Sequence, residues 1–268
     1  MTMGPDDPCP CGSGKPYEAC CRSAGFPAAE VALHYQRLSK SYETLEEHLG
    51  EHAYRIFGQD GPAVALEEFL GWPEGDEPVG ADFLDRQGAL FWPWFLFNWE
   101  YKENEFELDG PRGKTVAELY MEDQGLKADA TEQQLIYAIN RKPYGFWEVM
   151  GVVAGTAIDF RDILTGARIM ALEKTGSHTV EPGDIVFGRV VLINDVGMIF
   201  GIGATILPPE IKAQLDHFQQ SLQGKRQSLT DADLLDRQVQ MRRLYFDMEQ
   251  SILDAPVPAP DEPSVPFH

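Results

Sequence analysis

The sequence predicts an α+β protein. Its parts are a small cysteine-rich N-terminal unit, a helical domain, a small five-stranded antiparallel barrel-like β domain, and C-terminal helices. Three observations predict this. All four cysteines lie between positions 9 and 21. Apolar residues recur at steps of three and four from residue 28 to about 57. From residue 146 onward the period shortens to that of strands, with turn residues as punctuation. The expected boundaries are 1–24, 28–145, 146–207 and 208–254, followed by a Pro-rich flexible tail over 255–268.

In the first helical stretch, Val31, Tyr35, Leu38, Tyr42, Leu45, Leu49 and Ile56 form one seam, with His52 in the remaining slot. That spacing is the signature of an amphipathic helix. Gly50 inside it costs about 1 kcal/mol relative to alanine, which leaves room for a break near it. A second helix is expected over 62–70, before the turn-rich Gly71-Trp72-Pro73-Glu74-Gly75. Residues 60–125 hold 16 Asp and Glu against 4 Lys and Arg. Inside that acidic stretch lies the aromatic run of residues 89–99 (ALFWPWFLFNW), expected to serve as core rather than as a ligand cage, with a partner groove as the alternative. LDGPRGK (108–114) reads as a loop, and residues 131–141 as a further helix.

Five strands are expected over 149–154, 157–164, 167–173, 184–194 and 196–207. Thr165-Gly166 and Asn194-Asp195 read as tight hairpin connections. Short strands at this spacing suit a small barrel. Gly188, Gly197, Gly201 and Gly203 would let the last strands bend or bulge. Beyond Pro208-Pro209, Ile211, Leu215, Phe218 and Leu222 form a helical stripe. Thr230 with Asp233 three residues on approaches a capping box for the last helix.

Composition excludes several classes. With 43% hydrophobic and 11% aromatic residues, the chain can bury a core. Disordered, collagen-like and disulfide-scaffold classes are poor fits. Lys and Arg number 22 against 43 Asp and Glu, a net charge of −21. So acidic a surface repels phosphate backbones and anionic lipids, which argues against nucleic-acid and membrane partners. The first residues lack the basic and then apolar regions of a secretory signal. The aromatic run is interrupted by Pro93 and Asn98 and falls short of the roughly 20 apolar residues that span a bilayer. Clustered rather than dispersed cysteines fit a reducing compartment, so a cytoplasmic location is expected.

The cysteine segment reads Cys9-Pro-Cys11-Gly-Ser-Gly-Lys-Pro-Tyr-Glu-Ala-Cys20-Cys21. Four thiolates can close a tetrahedron around Zn²⁺ at about 2.3 Å, leaving no open position for water, so such a site is structural. Gly12, Ser13 and Gly14 can offer backbone N–H groups to the sulfurs, and Lys15 can offset their charge. The segment resembles the SEC-C zinc motif, which also ends the preprotein-translocase ATPase SecA. The resemblance implies Cys9, Cys11, Cys20 and Cys21 as the four ligands of one structural Zn²⁺, and thus a zinc knuckle at 1–24. In that ATPase the motif engages protein partners, usually through lysines before the last cysteines. Here Pro16, Glu18 and Ala19 stand at those places.

His48-Leu-Gly-Glu51-His52 fits H-x-x-E-H, in which two histidines on one helix face hold zinc and the glutamate acts as base. His52 in the apolar seam favours a packing role instead. The strands carry Arg161, Arg168, Lys174 and Arg189 but few stacking aromatics, which weakens an oligonucleotide-binding reading. The favoured expectation is a zinc-binding cytoplasmic interaction or accessory protein rather than an enzyme, with a protein partner. The alternatives are a metal-dependent hydrolase using the H-x-x-E-H helix, and a nucleic-acid-binding barrel.

Overall fold

The computed structural model describes residues 29–71, 81–102, 108, 110–124, 128–224 and 228–255. The four cysteines and the Pro-rich tail lie outside these residues. Five helices precede the sheet: α1 (Ala29–Phe57), α2 (Gly61–Leu70), α3 (Ala81–Phe97), α4 (Val116–Gln124) and α5 (Ala130–Ile139). The strands are β1 (Gly145–Val153), β2 (Ala157–Asp162), β3 (Arg168–Leu172), β4 (Ile185–Ile193) and β5 (Val196–Ile202). Three helices follow: α6 (Lys212–Gln223), α7 (Asp231–Leu235) and α8 (Gln238–Leu253).

The seam of α1 is buried where expected. Leu38, Leu45, Leu49 and His52 lie inside, and Val31, Tyr35, Tyr42 and Ile56 are half-buried against the core. The helix runs through Gly50 without a break. Pro62 starts α2, and Gly71, at φ 59°, ends it by donating its N–H to the Glu67 carbonyl. That conformation is open to glycine at little cost. The aromatic run is the second half of α3, which continues across Pro93. Helix α4 follows the predicted loop and escaped sequence reading, because nine residues carry too few turns for a clear period. Asp129 and Glu132 form a capping box at α5. Thr230 and Asp233 form the expected one at α7, with their side chains 2.8 Å apart.

The five strands close into a barrel in the order β1-β2-β3-β5-β4. The antiparallel expectation is corrected at one seam, because β3 and β5 run parallel, paired at Ala171 and Gly197. The physical reason is topological. A closed ring of five strands cannot alternate direction throughout, so at least one neighbouring pair must run parallel, and with the other four pairs antiparallel that pair is β3 and β5. Gly197 makes that closure possible, since a Cβ there would sit 2.0 Å from the Met170 carbonyl oxygen. Asn194 and Asp195 both adopt positive φ in the tight β4–β5 turn. Thr165-Gly166 instead belongs to a longer connection over 163–167. There the Asp162 carboxylate accepts from the Leu164 N–H and the Thr165 hydroxyl, each at 2.8 Å.

Alternate residues of the strands serve two cores. Trp147, Val149, Ile158, Phe160, Ala171, Val186 and Val190 fill the barrel. Phe146, Phe187, Val191 and Ile193 face outward and join the helices in one continuous apolar cluster. Phe187 stacks on Tyr245 of α8 at 4.9 Å. Helix α3 meets β5 closely: a Cβ at Gly201 would lie 2.8 Å from the Ala89 carbonyl. Pro93 has no N–H to offer that carbonyl. The next carbonyl, of Leu90, accepts from the buried Tyr144 hydroxyl at 2.6 Å.

Gly197→Ala should lower the unfolding free energy by about 2 kcal/mol or more, because the methyl must push β3 and β5 apart. Urea denaturation followed by tryptophan fluorescence checks this. An unchanged midpoint would contradict the proposed closure.

Candidate functional site

Helix α3 buries most of its aromatic side chains and exposes one. Phe91, Trp94, Phe95, Leu96, Phe97 and Trp99 are buried, as a core reading requires. Trp92 is 44% exposed, resting edge-on against Phe91 and Phe95 at 5.0 and 6.2 Å. Tyr54 of α1, 60% exposed, lines the same hollow. This hollow, about 660 Å³, is lined by Gly50, Ala53, Gly58, Pro62, Phe95 and Leu96, with Glu46, Glu47 and Gln59 as polar residues. A second hollow of about 450 Å³ shares Trp92 and Glu46 with the first. It reaches Ile199 and Ile202 of β5 and Glu173 beyond β3. Together they form one trough from α1 and α2 to the barrel edge. Among the described residues no cation lines either part. Burial pushes the Glu46 carboxyl above its ordinary range, partly offset by the Tyr42 hydroxyl.

A partner groove was the alternative reading of the aromatic run, and Gly50 stood out inside α1, but Tyr54 lies outside the seam and the sequence did not bring these three places together.

The H-x-x-E-H histidines do share one side of α1, but His48 is hydrogen-bonded within the protein and His52 is packed away, with both ring nitrogens buried and without a hydrogen-bond partner among the described residues. His48 Nδ1 lies 2.9 Å from Glu132 Oε1, in the capping box of α5. Tyr120 of α4 packs against both rings, edge-on to His52 at 5.6 Å. His52 is 3% exposed, whereas Glu51 points to solvent. Among the described residues no group of three His, Cys, Asp or Glu side chains is placed to hold a metal ion. Burial, aided by Arg55, holds the His52 imidazole below its ordinary pKa.

Three of the four barrel cations, Arg161, Arg168 and Arg189, are also paired within the protein. Arg161 pairs with Glu148, which also accepts from Lys212 at 2.6 Å, and Arg168 pairs with Asp159. Arg189 is buried, donates to the side-chain oxygen of Asn98 and lies 4.6 Å from the Tyr144 ring centre. A second buried arginine, Arg242, donates from Nε to the Phe69 carbonyl at 2.7 Å and lies over the Phe69 and Trp94 rings. Burial lowers its pKa to about 10, so it stays charged near neutrality. It thereby meets a carbonyl in the last turn of α2, the negative end of that helix.

Among the described residues no helix is long and apolar enough to cross a membrane. The Cys9, Cys11, Cys20 and Cys21 cluster lies outside those residues, so its arrangement rests on sequence.

An imidazole that is harder to protonate folded than unfolded destabilises the fold once the unfolded state takes up its proton. The His52 contribution is therefore complete above pH about 6.5 and declines as pH falls below it. His52→Phe should flatten the stability profile over that interval, measured as urea midpoint against pH. A profile equally steep without His52 would contradict its buried, neutral role.

Comparison with known proteins identifies two segments. Residues 7–23 are a SEC-C motif, a zinc-binding type, as the cysteine spacing indicated. Residues 104–233 match a family of unknown function (DUF7986), and this segment holds α4, α5, the whole barrel, α6 and the start of α7. No curated protein and no solved structure matches the chain.

Proposed function

We propose that this is a zinc-containing accessory protein that acts by binding protein partners in the cytoplasm, without catalysis of its own. The SEC-C motif carries the reading, because residues 7–23 contain every cysteine of the chain in the order C-x-C, eight residues, C-C. Four thiolates and no other ligand suit a closed tetrahedral zinc site. In this reading Cys9, Cys11, Cys20 and Cys21 hold one Zn²⁺ that fixes the shape of the first 24 residues. Lys15 and the Gly12-Ser13-Gly14 amides support the sulfurs. The net charge of −21 favours a partner that is neither nucleic acid nor an anionic membrane. The pairing of Arg161 and Arg168 with carboxylates further reduces the cationic surface available to a phosphate backbone.

Protein purified without chelator should contain one zinc per chain by elemental analysis. Its four cysteines should react with a thiol reagent only after chelation. Cys20→Ser with Cys21→Ser should abolish the metal. A zinc content far below one, or four freely reactive thiols in untreated protein, would refute the site.

A further inference from the structure

Gly50 stands in the interior of α1, where glycine costs about 1 kcal/mol relative to alanine. Its φ is not positive. Apart from its chain neighbours and the backbone of its own helix, no described atom lies within 4 Å of the place its Cβ would take. The described fold thus gains nothing from the missing side chain. The space it leaves is part of the hollow beside Trp92 and Tyr54. Gly88 repeats the pattern on the opposite wall, inside α3. A Cβ there would make only ordinary contact with the Trp92 ring, at 3.5 Å, and the residue lines the second hollow. Two helix-interior glycines, neither required by backbone conformation nor by close packing, keep one trough open along an exposed tryptophan. Open space of that kind beside an aromatic anchor fits an external occupant.

Charge selects among occupants. The polar lining includes Glu46, Glu47 and Glu173 and no described cation. The longer stretches outside the described residues, 1–28, 72–80, 103–107 and 256–268, each carry net negative charge. A second copy of the chain brings −21. None of these complements an acidic trough. We propose that the trough over Trp92 receives a segment of another protein in which apolar side chains are flanked by lysine or arginine. The apolar residues would enter the hollows beside Trp92 and Tyr54, and the cations would meet the three glutamates. Such a groove suits a helical or extended peptide. This rests on the protein-binding part of the function proposed above and names the partner's chemistry.

Gly50→Leu is the sharpest test, because leucine favours the helix and the site is open, so the fold should be kept or strengthened. Random short peptides displayed on phage are selected on the full-length protein, with the Gly50→Leu protein as counter-selection. Enriched peptides should combine apolar residues with Lys or Arg. Their synthetic forms should bind the unsubstituted protein roughly tenfold more tightly than either Gly50→Leu or Trp92→Ala. Added salt should weaken that binding. Enrichment of acidic peptides, no enrichment, or binding indifferent to both substitutions would overturn the proposal. So would binding of a synthetic 256–268 peptide at this place, or a dimer in sedimentation that Gly50→Leu dissolves. Peptide binding that survives Cys20→Ser with Cys21→Ser would show that the trough acts independently of the zinc site, so the two readings fail separately.

Discussion

Pro93 withholds one N–H from α3, and the contact between the helices and the barrel is built around that omission. The Ala89 carbonyl, four residues back, faces Gly201 of β5, where even a methyl group would collide. The following carbonyl receives the Tyr144 hydroxyl from the start of the barrel. A proline inside a helix ordinarily destabilises it, because a carbonyl loses its partner and the ring crowds the preceding turn. Here the disturbed turn is the one pressed against the sheet. Phe91, Phe95 and Phe97 then face the apolar core while Trp92 faces outward, so the same helix seals the interior and presents a surface.

The two buried arginines are the other side of this arrangement. In a chain with a net charge of −21, neither Arg189 nor Arg242 donates a hydrogen bond to a carboxylate among the described residues. Each instead uses an oxygen dipole and aromatic faces: Asn98 and Tyr144 for one, the end of α2 with Phe69 and Trp94 for the other. A charge placed over a ring and against carbonyl oxygens keeps part of what it loses on leaving water. Two positive charges are thereby withdrawn from solvent, alongside the buried carboxylates Glu132, Glu148, Asp162 and Glu249.

How much the sequence disclosed depended on length and period. The seam of α1, the strand run after residue 146 and the Thr230/Asp233 cap were legible, because each is a local pattern that tertiary structure only had to accept. The parallel β3–β5 seam was not, since strand direction at a closing edge is a property of the whole barrel. Gly197 and Gly201 were readable as places of unusual backbone, although what they approach, Met170 and Ala89, is distant in sequence. The aromatic run was rightly read as core for most of its residues. Its one exposed member could not be distinguished without the rotation of α3. The cysteine motif was the most legible feature of all, because metal-ligand spacing is written in consecutive residues.

The motif and the trough describe one kind of protein at two places: a small cysteine-rich unit that metal would stiffen, and a helix that leaves an aromatic side chain and acidic neighbours open. The account depends most on α3 having these two faces. Incorporation of 5-fluorotryptophan, with resonances assigned by single Trp→Phe substitutions, tests it directly by fluorine NMR with a soluble paramagnetic agent. The Trp92 signal should broaden strongly while those of Trp94 and Trp99, at 4% and 1% exposure, stay sharp. Equal protection of all three would mean that the trough is covered by the chain itself, and the account would fail.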